Sequence, residues 1–248
     1  MLLKNAPSYD MIEKNAKTEQ KMKIYGLQKL SLVDFPGKTA AVLFTGGCNF
    51  RCPFCHNYGL VQDPGEPLDK TEVFEYLKKR AGLLDAVVIT GGEPLIHPDI
   101  AELIVEVREL GYPVKLDTNG TFPARLAELL TQGLVDYVAM DIKNSREKYY
   151  LTAGCDVDLD AVNKSIMILK SGNTEFEFRT TVVQQLHELD DFIKIGEWIK
   201  GDVNYYLQCF KDSENVPYGN LSAPSGESMR MYLDAVQKFV PRAALRGI

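Results

Sequence analysis

Two hydrophobic periods alternate along this chain. Short continuous apolar runs at 40–44, 85–90, 113–117, 135–141 and 203–208 read as strands buried on both faces. The stretch 175–183 alternates first and then turns apolar, a further strand with Phe176 and Phe178 on one face. Between these runs, apolar residues recur at helical spacing: Val73, Leu77 and Ala81; Ile100, Leu103, Ile104, Val107 and Leu110; Leu126, Leu129 and Leu130. The same spacing continues in Val162, Ile166 and Leu169, in Ile193, Ile195, Trp198 and Ile199, and in Met229, Tyr232, Leu233, Val236 and Val240. Asp69 and Glu72 form a capping-box-like start, and Gly111, Gly133 and Gly172 supply stops.

Strands alternating with helices predict a parallel sheet with right-handed crossovers and helices outside. Six such units are too few for a closed eight-stranded barrel. Residues 26–37 end in a Pro36-Gly37 turn signal. Residues 1–21 read as a polar extension, with Met22-Lys-Ile-Tyr-Gly as a second natural beginning and 22–248 as the core domain. The extension mixes Lys and Glu without a sustained apolar stretch, so it does not read as a signal peptide.

Composition narrows the class only a little. With 248 residues, 45% hydrophobic and 25% charged, the chain is an ordinary globular one. A net charge of −6 argues against a nucleic-acid binder. No run of about 18 apolar residues exists, so no membrane span is expected. Five cysteines, an odd number with three in one loop, fit a reducing cytoplasm better than a disulfide framework.

That loop changes the picture. Cys48, Cys52 and Cys55 follow the first apolar run with the spacing C-x3-C-x2-C, a thiolate set for a soft metal centre. A zinc-binding interaction module could add His56 as a fourth ligand. Zinc sites, however, usually draw two ligands from each of two separated knuckles, and His56 directly follows Cys55. An iron–sulfur cluster held by three thiolates keeps one iron open, and that reading is favoured.

Cys48-Asn-Phe-Arg-Cys52-Pro-Phe-Cys55 resembles the cluster loop of the radical S-adenosylmethionine enzymes, with Phe54 as its aromatic residue. Cys55-His56-Asn57 is similar to the glycyl-radical-enzyme activases. The stretch from Gly26 to about Pro241 resembles the activating proteins of anaerobic ribonucleoside-triphosphate reductase. The resemblance implies an open partial (β/α)6 barrel with its chemistry at the C-terminal strand ends.

It also implies one [4Fe–4S] cluster on Cys48, Cys52 and Cys55. Thr90-Gly91-Gly92-Glu93-Pro94 matches the element that holds the methionyl amino group of S-adenosylmethionine, and two glycines would let a ligand approach the backbone. Phe54, His56 and Gln208 fall among adenosyl contacts, although related activases present a histidine near Gln208 and this chain does not. Asp117, Thr118 and Asn119 end one strand, and Asp141, Ile142 and Lys143 end the next. By resemblance, Asp117, Thr118, Asp141 and Ile142 would hold a monovalent cation, Lys143 would face the cofactor carboxylate, and Arg179 would lie near that carboxylate and the ribose. Read without the resemblance, each Asp could cap a helix, and Lys143 could be a solvated surface residue. Arg179, inside an apolar strand, needs a partner either way.

The implied activity is reductive cleavage of S-adenosylmethionine to a 5′-deoxyadenosyl radical, which abstracts hydrogen from a glycine of a larger partner. The partner would be anaerobic ribonucleoside-triphosphate reductase, and the electron donor a flavodoxin or ferredoxin. A pyruvate formate-lyase-type activase and a small-molecule radical enzyme are the alternatives. Cys155 and Cys209 are isolated, and His97 and His187 have no assignable partner.

Overall fold

A computed structural model describes residues 22–247. The expected polar extension at 1–21 lies outside them. All six expected strands are present, as β2 (Lys38–Thr45), β3 (Ala86–Gly91), β4 (Val114–Thr118), β5 (Tyr137–Asp141), β6 (Glu175–Val182) and β7 (Asn204–Cys209). They pair in chain order and in parallel. Helices fill the crossovers: α1 (Tyr58–Gln62), α2 (Lys70–Arg80), α3 (Ile100–Glu109), α4 (Pro123–Thr131), α5 (Tyr149–Ala153), α6 (Leu159–Ser171), α7 (Leu189–Ile199) and α8 (Gly226–Gln237).

Two strands at the sheet edges have no counterpart in the sequence pattern. The first, β1 (Ile24–Phe35), runs antiparallel to β2 through the two-residue turn Pro36-Gly37. Pro36 suits the first turn position, and Gly37 adopts φ +69°, which the second requires. Three register shifts interrupt this pairing, so β1 shows no clean alternation to read. The last, β8 (Ala243–Arg246), has only four residues and pairs in parallel with β7. The sheet does not close: β1 and β8 remain its two edges.

Because side chains alternate across the pleat, each strand splits its residues between two environments. The outer face, with Leu43, Ile89, Leu116, Val138, Met140, Phe178 and Leu207, packs against the helices in one continuous core. Phe176 and Phe178 do share a face, their rings 5.1 Å apart. The inner face begins at one end with an apolar plug of Phe35, Ala40, Val42, Ala86, Val88 and Tyr137. Above the plug the inward positions become charged.

Helix starts are chemically marked. Asp69 accepts the Thr71 amide at 2.7 Å, Asp158 caps α6, Ser225 caps α8, and Glu188 with Asp191 forms a reciprocal capping box on α7. Among the described residues, no helix is long and apolar enough to cross a membrane.

Candidate active site

The C-terminal ends of the parallel strands surround one cavity of about 330 Å³. Its lining includes Cys48, Cys52 and Cys55 with Phe54 and His56 from the loop after β2, and Gly91, Gly92 and Glu93 from the end of β3. Asp117, Thr118 and Asn119 after β4, Asp141 and Lys143 after β5, Arg179 on β6 and Gln208 on β7 complete it. The tertiary structure thus brings together every candidate residue except Ile142. That side chain points outward into the helix-packed core, and its carbonyl accepts the Thr180 hydroxyl at 2.5 Å.

The cysteine loop is tied by its backbone. Gly47 N–H donates to the Leu60 carbonyl at 2.8 Å, and Arg51 N–H to the Ala153 carbonyl at 2.8 Å. The Arg51 guanidinium donates to the carbonyls of Cys48 and Phe50 at 2.6 and 2.7 Å. The sulfurs have few partners: the Phe50 amide donates to Cys48 Sγ at 3.3 Å and the Asn57 amide to Cys55. Burial pushes the Cys48 thiol up to about 11 and the Cys52 thiol up to about 12, and raises Cys55 as well. Without a bound metal centre these groups stay protonated, so loading one must release protons.

The donor set fits an iron–sulfur cluster with one open iron. Three thiols face one cavity, and a fourth thiol does not: Cys155 lies behind the loop, donating to the Asn49 carbonyl at 3.5 Å. Zinc fits poorly, because His56 turns away and donates Nε2–H to the Lys211 carbonyl at 2.6 Å. Nor do any three His, Cys, Asp or Glu side chains among the described residues converge on a single-ion position.

Gly91 and Gly92 are required by the protein itself before any ligand. A Cβ on Gly92 would lie 1.7 Å from the Gly47 carbonyl oxygen, and Gly91 holds φ +114° with Thr45 backbone 2.4 Å from its Cβ position. The pair therefore locks the β3 end against the cysteine loop, with Glu93 N–H donating to the Gly47 carbonyl at 2.9 Å and Asn57 Nδ2 to Gly91 O at 3.0 Å. Glu93 itself is buried and accepts from Leu95 N–H, the Thr118 hydroxyl and Asn119 N–H. Burial outweighs these three bonds and lifts its carboxyl to about 7. A cation beside it would favour ionisation.

The floor of the cavity is an ion-pair network. Arg179 Nε donates to Asp141 Oδ1 at 2.6 Å and its Nη2 to Asp117 Oδ2 at 3.1 Å, two strands away. Ala139 on the intervening β5 leaves space for that reach. Lys143 donates to Asp141 Oδ2 at 2.8 Å, the Thr90 hydroxyl to Asp117 Oδ2 at 3.1 Å, and Lys115 to Asp117 Oδ1. Burial works against both carboxylates, yet Arg179 with its neighbouring lysines holds them below the ordinary range. Lys143 is no solvated surface residue: despite burial, Asp141 keeps its ammonium charged.

The network engages the residues expected to hold a monovalent cation. The carboxylate oxygens of Asp117 and Asp141 are all engaged by basic or hydroxyl donors, the Ile142 carbonyl by Thr180, and the Thr118 hydroxyl by Glu93. Sequence reasoning also passed over Gln28 and Asp34, which reach the cavity from β1, and Thr181 beside Gln208. Below the floor, Glu177 accepts two bonds from Arg246, at 2.9 and 3.1 Å, and one from the Tyr137 hydroxyl at 3.0 Å. His187, without an assignable partner in sequence, accepts Val183 N–H at Nδ1 and donates Nε2–H to the Lys143 carbonyl, which steadies that lysine from behind. His97 likewise donates to the Gly46 carbonyl.

Comparison with known proteins agrees with this geometry. The model of the radical SAM superfamily matches residues 42–193. A protein of Methanocaldococcus jannaschii, provisionally named a glycyl-radical enzyme activating enzyme, is 32% identical over 91% of this chain and 96% of its own length. A protein of Pyrococcus abyssi, provisionally named a GTP 3′,8-cyclase, is 37% identical over 53% of this chain and 43% of its own. Among solved structures, SuiB of Streptococcus suis superposes with a TM-score of 0.63 at 15% identity, covering 82% of this chain and 47% of that one. At that identity the likeness bears on the fold alone.

Proposed function

The chain belongs to the radical SAM superfamily and is an enzyme of radical chemistry, and we propose that it is an activase: it places a glycyl radical on a separate enzyme, anaerobic ribonucleoside-triphosphate reductase. The observation that carries the reading is the convergence of three thiols, one buried and two half-buried, a buried carboxyl and a cationic floor on one cavity at the strand ends. Support for a protein substrate comes from the relative in Methanocaldococcus jannaschii, whose similarity runs nearly end to end in both chains. The cyclase similarity, confined to about half of each chain, favours a small-molecule substrate less.

Cys48, Cys52 and Cys55 would hold a [4Fe–4S] cluster, and S-adenosylmethionine would fill the cavity beside it. When bound, the pair supplies one-electron cleavage of a sulfonium bond. The chain's own residues do the rest. Glu93 accepts the methionyl ammonium, and Lys143 and Arg179, already oriented by Asp141 and Asp117, face the methionyl carboxylate. Phe54, His56 and Gln208 bound the adenosyl group. The His56 ring packs against that of Phe210, centroids 5.7 Å apart and tilted by 35°, which holds it at the cavity edge. Gly91, Gly92, Thr118 and Asn119 position Glu93. The sheet edges β1 and β8 leave the barrel unclosed, as a substrate presented by another protein needs. A flavodoxin or ferredoxin supplies the electron, and the setting is cytoplasmic.

Electron paramagnetic resonance tests the reading. Mixed anaerobically with S-adenosylmethionine, a reductant and the reductase, the protein should produce a doublet that collapses when glycine α-hydrogens are deuterated. Changing the partner's radical-bearing glycine to alanine should remove the signal and leave cofactor cleavage measurable. A pyruvate formate-lyase that becomes radical-bearing while the reductase does not would move the assignment to another activase. Cofactor cleavage with no radical on either protein would rule out activation and leave a small-molecule substrate.

A further inference from the structure

We propose that the Lys115 ammonium is a built-in counter-cation for the acidic pair Asp117 and Asp141, so that S-adenosylmethionine binds this barrel without Na⁺ or K⁺. The inference requires only that S-adenosylmethionine enters the cavity; it is indifferent to which partner is activated.

Lys115 lies on the inner face of β4, one pleat repeat below Asp117, with 2% of its surface exposed. Its register neighbours are Val88 on β3 and Tyr137 on β5, which belong to the apolar plug. An ammonium at that depth must find an acceptor, and among the described residues its hydrogen-bonded acceptor is Asp117 Oδ1. The plug beneath thus drives the lysine upward into the acidic pair.

Charge arithmetic then decides against a further cation. Asp117 and Asp141 carry two negative charges, while Lys115, Arg179 and Lys143 carry three positive ones. The floor already has an excess of one positive charge, suited to a carboxylate. An added monovalent ion would meet like charges at close range, where the low effective dielectric of the interior leaves their repulsion poorly screened. Removing the Lys115 charge brings the floor to neutrality and frees Asp117 Oδ1, the condition under which an external ion could bind. Lys115 touches no expected cofactor atom; it is a positioning residue that acts through Asp117.

The test measures cofactor affinity and ion binding, not turnover. Holoenzyme reconstituted with its cluster is titrated calorimetrically with S-adenosylmethionine at constant ionic strength, the cation being tetramethylammonium, Na⁺ or K⁺. Wild-type affinity should vary by less than about threefold among the three. Lys115→Met should bind at least about tenfold more weakly in tetramethylammonium, or about 1.4 kcal/mol, and recover in Na⁺ or K⁺. Lys115→Arg should stay independent of the cation. A wild-type protein that gains tenfold or more from Na⁺ or K⁺ overturns the proposal, as does a Lys115→Met variant with no greater cation dependence than wild type. A second arm needs neither variant nor cofactor: thallium-205 resonance of Tl⁺ titrated into wild-type protein should show no saturable site. A saturable site displaced by K⁺ overturns the proposal even if S-adenosylmethionine fails to bind, a failure that would count separately against the function proposed above.

Discussion

The cysteine loop and the charged floor border the same cavity, yet they are finished to different degrees. On the loop the backbone is well held while the three sulfurs have few partners, with burial opposing their ionisation. On the floor every carboxylate oxygen is paired, and the pairing keeps the acids ionised. One region awaits an added group; the other is complete as the chain folds. Damage should therefore read out as lost metal on the loop and as lost stability on the floor.

The sharpest way to break this contrast is metal content. After anaerobic reconstitution, the wild type should hold about four irons and four sulfides per chain. Cys48→Ala, Cys52→Ala and Cys55→Ala should each hold almost none, whereas Cys155→Ala and Cys209→Ala should match wild type. Full cluster assembly without Cys52 would sink the loop assignment.

Next in size is the floor. Arg179→Met leaves the buried Asp117 and the half-buried Asp141 short of a partner and should cost about 3 kcal/mol in urea denaturation of the cluster-free protein. Cys48→Ala, measured the same way, should cost about 1 kcal/mol or less. Equal losses for the two variants would erase the distinction between the regions.

Glu93 offers a pH test between them. Its folded value near 7 lies above the ordinary carboxyl value of 4.5. Between those pH values the folded protein keeps a proton that the unfolded chain has lost, so this group's contribution to stability falls as pH rises through the window, by about 3 kcal/mol in total. His187, whose value burial depresses, contributes in the opposite sense just below its ordinary 6.5. The difference between wild type and Glu93→Gln isolates the glutamate: it should change across pH 4.5–7 and be flat below. A flat difference throughout would mean that Glu93 is ionised in the empty cavity.

The smallest effect concerns the seam between loop and strand. Asn57→Ala removes one hydrogen bond to the Gly91 carbonyl and should lower stability by about 1 kcal/mol while leaving iron content intact. Loss of iron in this variant would show that the loop depends on the β3 end for its shape.

The succession of strands and helices along the chain, the six crossover units and the cysteine loop were legible because each is written in local spacing. A buried strand announces itself by an unbroken apolar run, and three thiols within one loop need no tertiary contact to be recognised as a set. Arg179 could also be singled out, as a charge in an apolar strand must have a partner. Lys115, in Val-Lys-Leu-Asp, carries the same signal and was passed over. The edge strands escaped for different reasons: β1 is broken by register shifts, and β8 is too short to show a period.

What the amino-acid sequence determined by itself is therefore the alternating β/α chain, the three-thiol loop and the presence of acids at two adjacent strand ends. What those acids face was decided only in three dimensions. Arg179 reaches Asp117 because parallel register sets β6 two places from β4 and Ala139 leaves the space between them. Arg246 reaches Glu177 because β8 joins the sheet beside β7. Gly92 must be glycine because the Gly47 carbonyl occupies the space a side chain would take. Pairings of this kind depend on register and on close approach between distant segments, and neither has a signature in the spacing along a single chain.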